Sequence, residues 1–244
     1  MSALAQPPFF FVHNMKTGGA SLRQHIYTNY QPGEIYPVPN LDDMDRAWLV
    51  DYLLGLSPER RASIRGYTGH FPFVVTRLMG LDLVTLTILR DPVDRTISYL
   101  KHCKRYHEQH HDLSLEEIYD DAFHFPCFIH NHQAKIFSMT TDDRLESYMD
   151  VIDVDDRRLE IAMENLEAVD VLGLHERYGE FLDDLRGRFG WRFDREINRR
   201  VGREQWEVPS RLRQRIADDN AADMTFYEHA VRLHEQRGRA RVRS

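Results

Sequence analysis

The sequence is poor in cysteine and has no long apolar run. Its 244 residues include two cysteines, Cys103 and Cys127, which is too few for a disulfide framework, so we expect reduced thiols. No apolar run approaches the roughly 18 residues that a membrane helix requires. Residues 1–8 lack the basic start and apolar core of a secretory signal. These absences predict a cytoplasmic protein without a membrane span.

Lysine is also scarce, and positive charge is in deficit. The net charge is −7, from 39 acidic and 32 basic residues. Because a nucleic-acid surface needs a basic face, we expect no nucleic-acid partner, although a local basic pocket for an anionic ligand is compatible with this charge. The basic residues other than four lysines are arginines; the lysines are Lys16, Lys101, Lys104 and Lys135. A lysine inside a glycine-containing turn, as at Lys16, is therefore a candidate functional residue.

The first motif is a strand, a glycine turn and a helix near the start of the chain. Residues 9–13 are apolar and favour a strand, and Leu22 and Ile26 are spaced as one face of a following helix. Glycines let a backbone approach an anion closely, and the unpaired N–H groups of a first helical turn favour negative charge. The sequence thus predicts a phosphate site formed by Lys16, Thr17, Gly18, Gly19, Ala20 and Ser21.

The second motif follows the clearest strand of the sequence. Residues 83–89 are almost wholly apolar and rich in β-branched side chains, as in a buried parallel strand. Asp91 suits the N-cap of the next helix, and Pro92 suits its first position. Arg90 at the strand end offers a planar fork for phosphate, and Ser98, about two turns into the helix, offers a hydroxyl donor. Their chemistry suits a phosphate; the alternative is that Arg90 pairs with Asp91 or Asp94 as a surface ion cluster, and the choice between the two rests on the resemblance described below.

The order of the first motif identifies the family that it resembles. A Walker A loop has its glycines before the lysine, whereas Lys16 precedes Gly18 and Gly19. This order resembles the 5′-phosphosulfate loop of sulfotransferases that use 3′-phosphoadenosine 5′-phosphosulfate (PAPS). The form H-x-x-K-T-G-G-x-S, from His13 to Ser21, is similar to the carbohydrate branch that includes the uronyl 2-O-sulfotransferases. The second motif resembles the 3′-phosphate motif of the same enzymes.

The resemblance covers roughly residues 9–235 and implies a fold. We expect an α/β, P-loop-like three-layer fold with a central parallel sheet flanked by helices. The 244 residues suit a single sulfotransferase domain, with flexible tails at residues 1–8 and 237–244. The animal enzymes of this branch carry a membrane anchor, which we do not find here, so the resemblance implies a soluble, bacterial-type member.

The resemblance also implies roles for individual residues. PAPS would be the donor and adenosine 3′,5′-bisphosphate the product, with no metal required. Lys16 would act in catalysis, and His70, in a turn similar to the Tyr-x-Gly-His segment of the family, would be the general base. Asn131 and Gln133 match part of an Asn-x-Gln-Thr pattern that faces the acceptor. A late arginine-rich loop covers the nucleotide in the family; its candidates here are Arg199, Arg200 and Arg203.

The sequence leaves several alternatives open. A nucleotide kinase would need a glycine-before-lysine loop, and a non-catalytic nucleotide-binding module would lack a working base. His107 to His111 reads H-E-x-x-H, the zinc-peptidase motif, but the stretch is hydrophilic and lacks an obvious third ligand, so we interpret it as a solvated helix end. The acceptor is predicted to be a carbohydrate or glycolipid hydroxyl, with a small alcohol or a protein tyrosine as alternatives. The sequence does not indicate an oligomeric state.

Apolar periodicity predicts the remaining elements. We expect helices over residues 42–54 and 92–109, and two terminal helices over residues 209–217 and 224–235.

Overall fold

Five short parallel strands form the central sheet. The structure, a computed structural model, describes residues 7–193 and 206–243. The strands are β1 (Phe9–Val12), β2 (Ile35–Tyr36), β3 (Gly66–Tyr67), β4 (Val84–Leu89) and β5 (Val171–Leu174). Their spatial order is β2-β3-β1-β4-β5, and every neighbouring pair is parallel. The α/β fold with a central parallel sheet flanked by helices is thus confirmed.

The helices connect and cover these strands. They are α1 (Gly19–Asn29), α2 (Val50–Leu54), α3 (Pro58–Ser63), α4 (Val74–Leu78), α5 (Pro92–Tyr106), α6 (Leu115–Tyr119), α7 (His132–Ser138), α8 (Asp156–Glu167), α9 (Tyr178–Phe189), α10 (Ser210–Asp219) and α11 (Ala221–Arg243). A π-helical turn, Phe125–Ile129, precedes α7. Within the described ranges, no helix combines the length and the apolar composition needed to cross a bilayer.

Alternation along β1 divides the core into two layers. Successive side chains of a strand point to opposite faces of the sheet. Phe9 and Phe11 pack with the apolar faces of α1 and α9, whereas Phe10 and Val12 pack in the cluster that includes α2, α4, α7, α8 and α11. A third apolar cluster joins α5, α6, α10 and the π-helical turn. Since β1 has no exposed surface, its carboxyl end is held rigidly in the middle of the sheet.

Polar side chains cap the starts of several helices, including the predicted cap at Asp91. Ser57 accepts a hydrogen bond from the Arg60 N–H at the start of α3. Asp91 accepts one from the Asp94 N–H at the start of α5, 2.9 Å away. Ser114 forms a reciprocal capping box with Glu117 at α6. Each cap satisfies an N–H group that the helix itself leaves unpaired.

The helix predicted over residues 42–54 is restricted to α2. The Asp42 carboxylate accepts a hydrogen bond from the Val38 N–H (2.8 Å) and forms an ion pair with Arg60 (2.8 Å). This buried pair holds the chain before α2 in turns, and the distant partner Arg60 is not visible in local periodicity.

Two other helix boundaries also differ from the prediction. Helix α5 ends at Tyr106 because His107 adopts an extended backbone conformation. In contrast, α11 continues through Arg243, so described residues of the stretch predicted as a flexible basic tail are helical.

Candidate nucleotide-binding site at the carboxyl edge of the sheet

The loop after β1 turns tightly into α1. Lys16 and Gly18 have positive φ values of 66° and 101°, and a non-glycine residue in this region is uncommon outside functional sites. The Thr17 side chain is buried, and its hydroxyl donates to the Asn14 carbonyl at 2.9 Å. Thr17 therefore offers its backbone N–H, not its hydroxyl, to a ligand. Gly18 caps α1 without a side-chain bond. Within the described residues, the Ser21 N–H donates to the Gly18 carbonyl at 3.1 Å, which leaves the N–H groups of Gly19 and Ala20 for a ligand.

The second glycine of the loop makes room for a histidine ring. A Cβ atom at Gly19 would overlap the imidazole of His13, the residue after β1. His13 is buried and stacks on the ring of Phe11. Burial holds the pKa of His13 well below its usual value, and His70 and Arg23 lower it further. A neutral imidazole thus fills the space between the strand and the helix N-terminus.

Arg90 brings the second predicted motif to this loop. Its Nη1 donates to the Lys16 carbonyl at 3.3 Å, although the two residues are 74 positions apart. Its Nε is buried and has no hydrogen-bond partner in the described part of the chain. An unpaired buried donor is costly, so the guanidinium retains capacity to bind an anion.

Positive charge accumulates around Lys16. Burial lowers the pKa of the Lys16 ammonium; Cys103 opposes the change, whereas the guanidiniums of Arg105 and Arg90 add to it. Burial lowers the pKa of His102, on α5, to about 4, and the charge of Lys16 contributes to this shift. Ser98 lies half-buried on the same helix, between Arg90 and His102 in sequence. Lys16, Arg90 and the N-terminus of α1 therefore lie at one edge of the sheet, an arrangement suited to a polyanion.

Two residues that follow β5 complete this edge and were not predicted. The rings of His175 and Tyr178 lie 3.4 Å from the position that a Cβ at Gly18 would occupy. The pKa of His175 is lowered by burial and by Arg90. The Tyr178 hydroxyl is buried without a hydrogen-bond partner among residues 7–193 and 206–243. The signal that predicts them is position alone: a residue that follows a parallel strand emerges at the same edge.

His70, which follows β3, lies beside this loop. Its Nδ1 is 2.8 Å from the His13 carbonyl oxygen, and its ring stacks on that of His13 with centroids 4.1 Å apart. Because a carbonyl accepts, Nδ1 carries the proton and Nε2 keeps its lone pair. Burial lowers the pKa of His70 to about 4, with Arg23 adding to the effect and the bond to His13 opposing it. His70 is therefore neutral near pH 7, with Nε2 as the available base.

Aromatic rings surround His70 on its other side. The ring centroids of Tyr148 and Trp48 lie 5.1 Å and 6.0 Å from that of His70. Both aromatic side chains are half-buried, and they come from loops distant in sequence. Arg23 of α1 adds a cation nearby, since its charge acts on both His13 and His70. Neither Trp48, Tyr148 nor Arg23 was singled out by sequence patterns.

Gln133 is bonded inside the protein. Its Oε1 accepts from the Arg90 N–H at 3.0 Å, and its Nε2 donates to the Arg90 carbonyl at 2.8 Å. With no exposed surface, this amide does not reach an acceptor, and its contacts instead fix the backbone of Arg90.

Asn131 is also bonded internally. It is buried, and its side-chain oxygen accepts from the Asp223 N–H at 3.0 Å. The Asp223 carboxylate in turn accepts from the N–H groups of Gln133 (3.2 Å) and Ala134 (2.7 Å). Asn131 therefore joins the start of α7 to α11, and its contact with an acceptor stays a prediction.

A late arginine-rich loop was predicted to cover the nucleotide. Arg199, Arg200 and Arg203 lie outside the described residues.

Comparisons with known proteins find a likeness among solved structures. Scans against protein-family models and against the curated proteins found no match. Among solved structures, the chain is similar to a sulfotransferase from Alicyclobacillus acidocaldarius, with 19% sequence identity and a TM-score of 0.49. The alignment covers 95% of this chain and 97% of that one.

Proposed function

We propose that this chain is a PAPS-dependent sulfotransferase, which moves a sulfuryl group from PAPS to an acceptor hydroxyl. The observation that carries the proposal is the contact between the two predicted phosphate motifs, in which Arg90 Nη1 donates to the Lys16 carbonyl. A nucleotide with phosphates at both its 5′ and 3′ positions needs two anion sites close together. The loop after β1 and the start of α5 supply such a pair.

The residues present fit this donor. Lys16, the N–H groups from Thr17 to Ala20 and the Ser21 hydroxyl bind the 5′-phosphosulfate end in our proposal, while Arg90 and Ser98 bind the 3′-phosphate. The unpaired, buried Arg90 Nε and Tyr178 hydroxyl are donors that a ligand oxygen would satisfy. Arg199, Arg200 and Arg203 remain proposed contributors from the late loop.

The proposed chemistry is an in-line transfer. The acceptor oxygen bonds to sulfur as the bond from sulfur to the bridging oxygen of the 5′-phosphate breaks, which releases adenosine 3′,5′-bisphosphate. Lys16 stabilises the charge that grows on that bridging oxygen. Its partial burial strengthens this effect, because a charge acts more strongly where water is excluded. Lys16 and Arg90 supply the positive charge in this proposal, so the reaction requires no metal.

His70 is the proposed general base. The hydroxyl proton of the acceptor passes to Nε2, whose lone pair is free because Nδ1–H is donated to the His13 carbonyl. The His13 ring lies between His70 and Gly19, the first residue of α1. The proposed base is therefore one imidazole ring away from the proposed donor site.

The proposed acceptor is a carbohydrate or glycolipid hydroxyl. Trp48 and Tyr148 flank His70, and flat aromatic rings with a polar edge suit the apolar faces of a sugar.

The test measures nucleotide preference by calorimetry. Adenosine 3′,5′-bisphosphate is expected to bind about 10- to 100-fold more tightly than AMP or ADP, because charge-assisted contacts contribute about 1.5–3 kcal/mol each. Arg90→Ala is expected to remove the preference. Arg186→Ala, which alters an exposed arginine on α9, is the matched control and should leave the preference intact.

Equal affinity for AMP and the bisphosphate would exclude the assignment. Turnover with labelled PAPS over a panel of sugar, lipid and phenolic acceptors then separates an enzyme from a nucleotide-binding module. A module would bind the bisphosphate and sulfate none of them.

A further inference from the structure

The chain after the nucleotide site gathers three metal-binding side chains. The thiol of Cys103 and the imidazoles of His107 and His110 present ligand atoms that all lie within 4.8 Å of one another. Cys103 has no exposed surface, and His110 is 4% exposed, whereas His107 is half-exposed. The buried Nδ1 of His110 has no hydrogen-bond partner within the described residues. A buried, unpaired imidazole nitrogen beside a thiol is unusual unless it serves a ligand.

The end of α5 explains this convergence. Cys103 and His107 are one turn apart, and the His107 N–H donates to the Cys103 carbonyl at 2.9 Å. The chain then leaves the helix and turns back through a short 3₁₀ turn, Glu108–His110. This reversal returns His110 toward Cys103. His111, the last residue of the H-E-x-x-H pattern, is exposed, and its carbonyl accepts a hydrogen bond from Lys104.

A fourth histidine orders the surroundings of the thiol. His124 Nδ1 lies 3.8 Å from the Cys103 sulfur and 2.5 Å from the Tyr99 hydroxyl. The His124 backbone N–H donates to Asp121 at 2.7 Å. Its ring centroid is 4.8 Å from that of His110. Metal sites commonly have such a hydrogen-bonded outer shell, which holds the ligands in orientation.

We propose that Cys103, His107 and His110 bind a zinc-class divalent transition-metal ion. One thiolate and two imidazoles form a typical donor set for zinc, with bonds of about 2.0–2.3 Å in tetrahedral geometry. Ligand atoms in such a site are roughly 3.5 Å apart, so small side-chain rotations close the three around an ion. Cys103 releases its thiol proton to solvent on binding. The half-exposed side of His107 leaves the fourth position to water.

The ion would fasten the end of α5 to the turn that follows it. Because the unfolded chain does not hold the three ligands together, binding stabilises the folded state. The proposed ligands take no part in the proposed sulfuryl transfer, although Cys103 and Lys16 are close enough to interact electrostatically. The test of the metal site does not depend on turnover.

The experiment uses the whole chain without a histidine tag. The protein is stripped with a chelator and titrated with Co²⁺, followed by competition with Zn²⁺. We expect one equivalent of cobalt, a tetrahedral d–d spectrum and a thiolate-to-cobalt charge-transfer band that Cys103→Ser removes. His107→Ala and His110→Ala should each weaken zinc binding about 100-fold or more, and His111→Ala should leave it unchanged.

A second measurement guards against misfolding of the buried variants. His107 is half-exposed, so His107→Ala is expected to fold and to show the wild-type melting temperature without metal. Zinc should raise the melting temperature of the wild-type protein and not that of His107→Ala. Equal zinc affinity in the His107→Ala and wild-type proteins, or loss of binding in His111→Ala, would overturn the proposed ligand set.

Discussion

The loop after β1 and the start of α7 were both predicted to contact ligands, and they differ in how their polar groups are bonded. Around the loop, the Arg90 Nε is buried without a partner among the described residues, and in that part of the chain no side chain caps the N-terminus of α1. At α7, the Gln133 amide is bonded on both sides to Arg90, and Asn131 is bonded to Asp223. The loop after β1 therefore keeps unbonded donors for a ligand, whereas the polar side chains at the start of α7 are bonded within the protein.

This difference separates contact residues from positioning residues. A buried polar group must be bonded somewhere, so a site residue whose bonds are all internal acts through the residue that it holds. Gln133 holds the backbone of Arg90, and Arg90 retains the free donor. Substitution of a contact residue should change turnover. Substitution of a positioning residue should change stability first.

Removal of the base is expected to have the largest effect. His70→Ala should lower kcat by about 10²–10⁴-fold, since general-base catalysis contributes that much, while bisphosphate affinity stays nearly constant. His70→Asn is the sharper variant, because its amide can still donate to the His13 carbonyl but has no basic nitrogen. It should lose as much rate as His70→Ala.

The pH profile gives a second view of the same residue. The base must be neutral, and its pKa is about 4, so the rate should stay level near neutral pH and fall only as pH drops through about 4. His70→Asn with near wild-type turnover would reassign the base to another group, such as His13.

Removal of the Lys16 charge is expected to have the next largest effect. Lys16→Met keeps the length of the side chain and should lower kcat about 10²–10³-fold, as loss of a transition-state charge contact does. Affinity for the bisphosphate should fall much less, because the proposed role is greatest as the leaving oxygen gains charge. Single-turnover kinetics and calorimetry separate the two quantities. A loss mainly in KM for PAPS would make Lys16 a ground-state phosphate contact.

The smallest effect on the site is expected at Gln133. Gln133→Leu leaves the Arg90 backbone unbonded and should cost about 1–3 kcal/mol of stability, with bisphosphate affinity reduced by roughly 3- to 10-fold. Asn165→Leu is a matched control, since this buried amide bonds Arg77 and the Phe137 carbonyl on α7. It should cost similar stability and leave affinity unchanged. Denaturant unfolding and calorimetry test both, and equal affinity losses would contradict a positioning role.

Local patterns predicted the framework of the site well. The apolar run of β1, the glycine turn and the spacing of Leu22 and Ile26 are all local, and the strand–loop–helix unit forms as expected. Caps at Asp91 and Ser114 are likewise local signals. Strand ends of a parallel sheet meet at one edge, which explains why Lys16 and Arg90 lie near each other.

Long-range partners decided what the sequence did not predict. Gln133 lies 43 positions from Arg90, and no local pattern distinguishes an amide that faces an acceptor from one that faces a backbone. Helix α5 ends at Tyr106, before the H-E-x-x-H pattern begins. The chain then turns, and His110, not His111, lies near Cys103. His175 and Tyr178 depend on the placement of β5 beside β4.

The bond between Asp223 and the start of α7 has a consequence for the order in which the site is assembled. Asp223 caps the helix that carries Gln133, and Gln133 fixes Arg90. During synthesis, Arg90 therefore emerges from the ribosome long before the carboxylate that completes its support. A nascent chain halted before residue 223 would contain every proposed phosphate contact of the first two motifs, yet lack the support that sets their spacing.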